Sequence, residues 1–187
     1  MNSIQKKLFD ATMNGKLDIV NILLTSGYVD AYTCSSYALL IAVKMRHEEI
    51  VDLLLQHGAS PKHNNEIFRA AIISGNNAII CLLLEHGADP TISNNAYIIY
   101  SSGRGLYENT LTLLEHGVPP VTEALEIACY HGYTALVRLL LQYGADPIGN
   151  DYSTFIYAKS GGFDDILDIL KDADEVMSYT VKGLLTV

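Results

Sequence analysis

An all-α fold, a solenoid of about six helix-turn-helix units, is predicted by three observations on the 187-residue sequence. A phrase of leucines running into glycine recurs as Ile22-Leu23-Leu24-Thr25-Ser26-Gly27, Leu53-Leu54-Leu55-Gln56-His57-Gly58, Leu82-Leu83-Leu84-Glu85-His86-Gly87, Leu113-Leu114-Glu115-His116-Gly117 and Leu139-Leu140-Leu141-Gln142-Tyr143-Gly144. The closing glycines Gly27, Gly58, Gly87, Gly117 and Gly144 lie 31, 29, 30 and 27 residues apart. About a dozen residues upstream stands a second mark, Gly15, Gly75, Gly105 and Gly132, with Arg46 in its place in the second copy and Gly162 opening a sixth. A near-fixed period of this length is the signature of stacked supersecondary units.

The elements follow in order. The first unit is entered from Met1-Asn2-Ser3-Ile4-Gln5-Lys6-Lys7, turns at Gly15 and continues through Leu17-Asp18-Ile19-Val20-Asn21-Ile22-Leu23-Leu24. The second runs from Tyr37-Ala38-Leu39-Leu40 past Arg46 into His47-Glu48-Glu49-Ile50-Val51-Asp52-Leu53-Leu54-Leu55, and the third from Glu66-Ile67-Phe68-Arg69 past Gly75 to Leu84. Ala96-Tyr97-Ile98-Ile99 opens the fourth, Glu123-Ala124-Leu125-Glu126 the fifth and Ser153-Thr154-Phe155-Ile156 the sixth. Glycine closes the second helices because the residue after a helix commonly takes a left-handed conformation, least costly without a side chain. Pro61, Pro90 and Pro147, a few residues later, keep the helix from resuming. Between Gly117 and Thr122 only Val118-Pro119-Pro120-Val121 remain, too short for a hairpin, with Thr122 expected as N-cap. Ser60 to Asn65 and Asp89 to Asn95 keep turn-rich tips whose asparagines suit positive φ or capping.

Periodicity requires the units to stack. Ile79, Ile80, Leu82, Leu83 and Leu84 spread over most of one helix circumference, more than a single partner helix covers. Small residues on the first helices, Ala11, Ala42, Ala71, Ser101 and Ala128, permit close approach of neighbouring pairs. The ends of such a stack need polar caps, and Gln5, Lys6 and Lys7 at one end and Asp164, Asp165, Asp168, Lys171, Asp172 and Asp174 at the other fit that need. Residues 1–187 are expected to form one domain, with 174–187 as C-terminal cap or tail.

These pieces resemble the ankyrin-repeat family from Ser3 to about Lys171, most closely through Gly15 to Leu24, His47 to Leu55 and Gly132-Tyr133-Thr134-Ala135-Leu136-Val137-Arg138-Leu139-Leu140-Leu141, which look like the family's second helix. The period falls short of the roughly 33 residues of an ankyrin unit, and the Thr-Pro-Leu-His start of the family's first helix is absent from every copy. The loss of length implies stunted hairpins. Divergence of this kind is similar to ankyrin proteins of viruses and host-associated microbes.

Composition narrows the function classes. Twelve Lys+Arg against 21 Asp+Glu give a formal charge of −9, which opposes direct binding to nucleic acid because phosphate contacts require clustered basic side chains. Apolar runs such as Tyr37 to Val43 are too short to span a bilayer, and no signal-peptide core follows Met1, so a soluble, cytoplasmic protein is expected. Cys34, Cys81 and Cys129 lack the spacing of a disulfide framework or zinc site and read as core or half-buried residues. His57, His86 and His116 recur before the closing glycine, but neighbouring repeats set such positions about 10 Å apart, too far to share a metal; helix-end use is expected instead. His63 and His131 lack ligand partners at metal spacing. Ser101-Ser102-Gly103-Arg104-Gly105 lies in a helix-helix turn without the preceding strand of a phosphate loop. Glu48-Glu49 and Asp164-Asp165 open helices, where negative charge complements the dipole. No catalytic constellation, metal site or cofactor is predicted, and the chain reads as no enzyme.

Twelve tyrosines and no tryptophan point to contact surfaces, since tyrosine offers large area at low rotamer entropy. Tyr37, Tyr97 and Tyr157 are expected to fill the first-helix layer, while Tyr32, Tyr107, Tyr130, Tyr133 and Tyr152 fall in connectors or turns. Aligning the repeats places Met13, Asn14, Lys44, Met45, Ile73, Ser74, Arg104, Tyr130, His131 and Ser160 at exposed first-helix ends, on what the resemblance implies is the concave protein-binding face. The expected function is a non-enzymatic scaffold, adaptor or inhibitor that binds a protein target through those helices and connectors, a target that presents a basic patch to this acidic chain. The competing reading is an acidic nucleic-acid mimic that occupies a DNA- or RNA-binding protein.

In the tail, Val176, Met177, Tyr179 and Thr180 allow an amphipathic turn or two over the sixth unit, whose Ile166, Leu167, Ile169 and Leu170 have no following repeat. Leu185-Thr186-Val187 also matches an apolar C-terminal ligand. Deletion of residues 174–187 is expected to lower the melting temperature and expose apolar surface that binds a hydrophobic dye; a truncated chain that melts like the full one would end the cap assignment.

Overall fold

The computed structural model describes residues 3–26, 31–62, 64–148 and 150–184, with side chains for all of these except 31–35 and 175–184. Among the described residues twelve α-helices follow in pairs: α1 Ser3–Met13 and α2 Leu17–Thr25, α3 Ala31–Lys44 and α4 Glu48–Gln56, α5 Asn65–Ser74 and α6 Asn77–Glu85, α7 Ala96–Gly103 and α8 Tyr107–Glu115, α9 Thr122–His131 and α10 Thr134–Gln142, α11 Ser153–Gly161 and α12 Asp164–Leu184. Among the described residues there is no strand, and no helix is long and apolar enough to cross a membrane. The pairs group into two compact units, residues 1–92 and 93–187.

Each pair is closed by one residue at positive φ. The turn residues are Gly15 (65°), Arg46 (61°), Gly75 (70°), Gly105 (68°), Gly132 (72°) and Gly162 (71°), so Arg46 occupies the same left-handed conformation as the glycines it replaces. Beyond the turn, the next backbone N–H reaches five residues back: Lys16 to the Ala11 carbonyl at 2.9 Å, His47 to Ala42 at 3.0 Å, Tyr133 to Ala128 at 2.9 Å and Phe163 to Ala158 at 2.9 Å. The second helices end the same way, with Ala59, Ala88, Val118 and Ala145 donating to Leu54, Leu83, Leu113 and Leu140. This six-to-one bond satisfies a helix-end carbonyl that would otherwise be orphaned.

In residues 1–92, α1 packs on α3 and α3 on α5, while α2 packs on α4 and α4 on α6. In residues 93–187, α7 packs on α9 and α9 on α11, with α8 on α10 and α10 on α12. The small residues expected at these contacts are buried, Ala11, Ala42, Ala71, Ser101 and Ala128 among them. Ile67, Phe68, Ile72, Ile79, Ile80 and Leu83 form the core of the third repeat, and Leu125, Leu136, Val137, Leu140, Ile166 and Leu170 that of the last two. Burying a leucine, isoleucine or phenylalanine side chain contributes about 1.5–3 kcal/mol.

The connectors bear out their turn chemistry. Asn64 Oδ1 accepts from the Glu66 N–H at 3.1 Å, which caps α5, and Asn94 and Asn95 sit at φ 50° and 67°. Asp89 accepts from both the N–H and the hydroxyl of Thr91, and the hydroxyl bond, with the backbone one, holds its carboxyl below the usual range. Val118 to Val121 form no strand, but the expectation for Thr122 is corrected: the cap position falls on Val121 and Thr122 is already the first helical residue. Val121 is extended, with φ −84° and ψ 148°, and makes no side-chain cap bond.

A contact between repeats supplements the hydrophobic layer. A β-carbon on Gly132 would meet the Phe163 ring at 2.5 Å, and one on Gly105 would meet the Tyr133 ring at 3.0 Å, so at these two turns the ring that opens the next repeat's second helix lies over the turn glycine of the repeat before it. Gly58 has nothing within 4 Å. Gly58→Ala is therefore expected to cost about 1–2 kcal/mol from backbone strain alone, and Gly132→Ala about 3 kcal/mol because the ring must also move. At about 2–4 °C per kcal/mol for a chain of this size, melting curves resolve the two; equal losses would remove the Phe163 contact as a source of stability.

Candidate functional site

The predicted contact residues are at the ends of the first helices. In residues 1–92, Met13, Met45 and Ile73 are 50%, 46% and 54% exposed, an unusual density of uncovered large apolar side chains. Lys44 and Asn14 are exposed beside them, and Ser74 is half-buried. Asn14 Nδ2 donates to the Asp10 carbonyl at 2.7 Å and Ser74 Oγ to the Ala71 carbonyl at 2.7 Å, so both also finish their own helices. Lys44 Nζ lies 3.0 Å from Glu66 Oε1, a pair on the surface of α3 and α5.

In residues 93–187 the surface is aromatic. Arg104 is exposed at the end of α7 and Ser160 near the end of α11, where its hydroxyl donates to the Tyr157 carbonyl at 3.0 Å. Tyr130 and His131 end α9. Tyr130 meets His131 edge-on at 5.0 Å and Tyr157 edge-on at 5.7 Å, and His131 stacks on Tyr133 at 5.4 Å. Four rings from α9, α11 and the α9–α10 turn thus run together.

Two tyrosine assignments are corrected. Tyr97 is buried as expected, but Tyr37 is 56% and Tyr157 37% exposed. Counted back from the small residues Ala42, Ser101 and Ala158, Tyr97 shares the register of buried Ile67 and Ala124, Tyr37 that of exposed Glu66 and Glu123, and Tyr157 that of Ala70 and Ile127. That alignment was available in the sequence and separates the three. Tyr37 rests edge-on against Phe9 at 4.9 Å. Tyr107, Tyr130 and Tyr152 are exposed and Tyr133 half-buried. Tyr32 and Cys34 fall outside the described side chains, as do Val176, Met177, Tyr179 and Thr180; His63, Leu185, Thr186 and Val187 lie outside the described residues.

The recurrent histidines serve their helix ends. Nδ1 of His57, His86 and His116 lies 2.9, 2.9 and 2.8 Å from the carbonyls of Leu53, Leu82 and Thr112. A carbonyl only accepts, so Nδ1 carries the proton and donates. Among the described residues no three His, Cys, Asp or Glu side chains gather at metal-binding distance. Burial, with the Glu126 carboxylate nearby as a lesser cause, pushes the Cys129 thiol up to about 12, which keeps it protonated and unreactive. Cys81 is half-buried.

The Lys44 ammonium, through its hydrogen bond and then its charge, holds the Glu66 carboxyl below its ordinary 4.5. A depressed carboxyl contributes stability above its unfolded pKa and loses that contribution as pH falls through the folded one. Lys44→Ala is expected to raise the Glu66 midpoint, read by side-chain carboxyl NMR; an unmoved midpoint would dissolve the pair.

A family model of ankyrin repeats in three copies matches residues 8–94, and a model of the single ankyrin repeat matches residues 124–151, together more than half of the chain. The ankyrin repeat protein L72 of Acanthamoeba polyphaga mimivirus is 26% identical over 138 residues, 69% of this chain and 35% of the viral protein, so the chain spans about a third of that relative's length. Among solved structures, an ankyrin repeat domain from Acinetobacter baumannii AYE is similar with a TM-score of 0.74 and 26% identity, over 89% of this chain and 97% of that one. The human ASB11 ankyrin repeat domain shares the fold with a TM-score of 0.71 at 22% identity, over 89% and 82% of the two chains. Ankyrin repeat domains are protein-interaction modules, and by repeat sequence, helix pairing and fold this chain belongs to the ankyrin-repeat family.

Proposed function

We propose that the chain is a non-enzymatic scaffold, an adaptor or inhibitor, that engages one protein target through the exposed ends of its first helices and the connectors beside them. The observation that carries this reading is the placement of Met13, Met45 and Ile73 at the C-terminal ends of α1, α3 and α5, each about half exposed. Large apolar side chains uncovered in series lose contact with water when a partner covers them, which drives association. Tyr130 and Arg104 supply in residues 93–187 residue types that dominate binding energy at protein interfaces, with His131 beside Tyr130. The reading takes residues 1–187 as one binding domain sealed by 174–187, acting inside the cell, and the viral relative supports a viral or microbial origin with a host component as target.

The test is affinity capture from cell extract with the wild type and with Lys44→Glu, Arg104→Glu and His131→Glu, partners being identified by mass spectrometry. Retention of the partner is expected to fall about tenfold in at least one variant, equivalent to about 1.4 kcal/mol, with melting unchanged. Equal retention by all three would move the interface elsewhere. Displacement of the partner by added DNA or RNA, with a steep fall as salt rises, would favour the acidic-mimic reading instead.

A further inference from the structure

A groove between α9 and α11, about 360 Å³, is lined by Glu123, Glu126, Ile127, Tyr130 and Tyr157. The unit that carries it is acidic: residues 93–187 hold twelve Asp or Glu against five Lys or Arg, a net −7, whereas residues 1–92 hold nine against seven, a net −2.

Glu126 is half-buried and held in one orientation. Its Oε1 accepts from the Asn150 N–H at 3.3 Å, from Asn150 Nδ2 at 3.1 Å and from the Ser153 hydroxyl at 2.5 Å. Three neutral donors orient the carboxylate but bring no positive charge. The ion pairs found among the described residues are Lys44–Glu66 and Lys171–Asp168, so no cation answers Glu126 there. Tyr130 and Tyr157 meet edge to face with planes 89° apart, a contact that covers a face of only one of the two rings, and both are solvent-exposed.

Ring faces carry the negative end of the aromatic quadrupole, so rings and carboxylates here select the same kind of occupant. An anion would be repelled by both, and an apolar group would strip water from Glu126 without a replacement bond. Among cations, a guanidinium is planar enough to stack on a ring while donating two N–H bonds to a carboxylate, which an ammonium cannot do in the same geometry. We infer that this groove receives an arginine side chain from a segment of the protein partner. The inference rests on the scaffold reading above and names the chemistry of one contact within it.

The experiment is an NMR titration of the full chain with acetyl-Gly-Ser-Arg-Ser-Gly-amide and with the same peptide carrying citrulline, a neutral isostere, in place of arginine. Expected are saturable shifts confined to Glu123, Glu126, Tyr130 and Tyr157, at least tenfold tighter binding of the arginine peptide, and a similar loss in Tyr130→Ala and Glu123→Gln. Both substituted residues are exposed, so melting should not change; Glu126→Gln is avoided because it disturbs the bonds to Asn150 and Ser153. Citrulline bound as tightly, shifts elsewhere, or indifference to both variants would overturn the assignment. Because the peptide stands in for the partner, a chain that ignores it yet loses its captured partner on charge reversal at Lys44 keeps the scaffold reading and loses only this groove.

Discussion

Each described turn between paired helices depends on one residue held at positive φ. The left-handed residue reverses the chain, and the amide that follows returns to a carbonyl five residues earlier, except in the third repeat, where the Asn76 N–H donates to Ser74 Oγ. At Ala11, Ala42, Ala128 and Ala158 that carbonyl belongs to the same small residue whose short side chain lets the neighbouring first helix approach. Closure of one repeat and stacking on the next are therefore set at a single position. Arg46 shows that geometry outranks residue preference, since it is held at φ 61° despite a cost on the order of 1 kcal/mol.

Once closure and stacking are set, the surface follows by counting. Positions four before the small residue point into the core, as Ile67, Tyr97 and Ala124 do. Positions five before it and two or three after it emerge, which is why Tyr37, Met13, Met45, Ile73, Tyr130 and His131 are all exposed. The fourth repeat departs from an apolar interior: Ser101, Ser102, Asn109, Thr110 and Thr112 are buried there, and Thr110 returns its hydroxyl to the Leu106 carbonyl. Polar groups in such numbers dilute the hydrophobic driving force of that repeat relative to the third, whose core is isoleucine, leucine and phenylalanine.

The fold was legible before any coordinates because its determinants are local. A left-handed closure favours glycine, a helix needs its apolar stripe, and both recur about every 30 residues. Helix-end use of His57, His86 and His116 was legible for the same reason, as the ring reaches a carbonyl only four residues away. The exposed first-helix ends could also be located by register. The environment of Glu126 could not, because its donors lie 24 and 27 residues downstream and are brought to it only when α11 packs on α9. Nor could Phe163 be placed over Gly132, 31 residues away, from either residue's own preference. The sequence by itself thus determined the repeat, its closures and which residues emerge, since each follows from bonds within one turn or one helix. Only the tertiary structure decided which emergent side chains meet across neighbouring repeats, because helix packing and not chain proximity sets those distances.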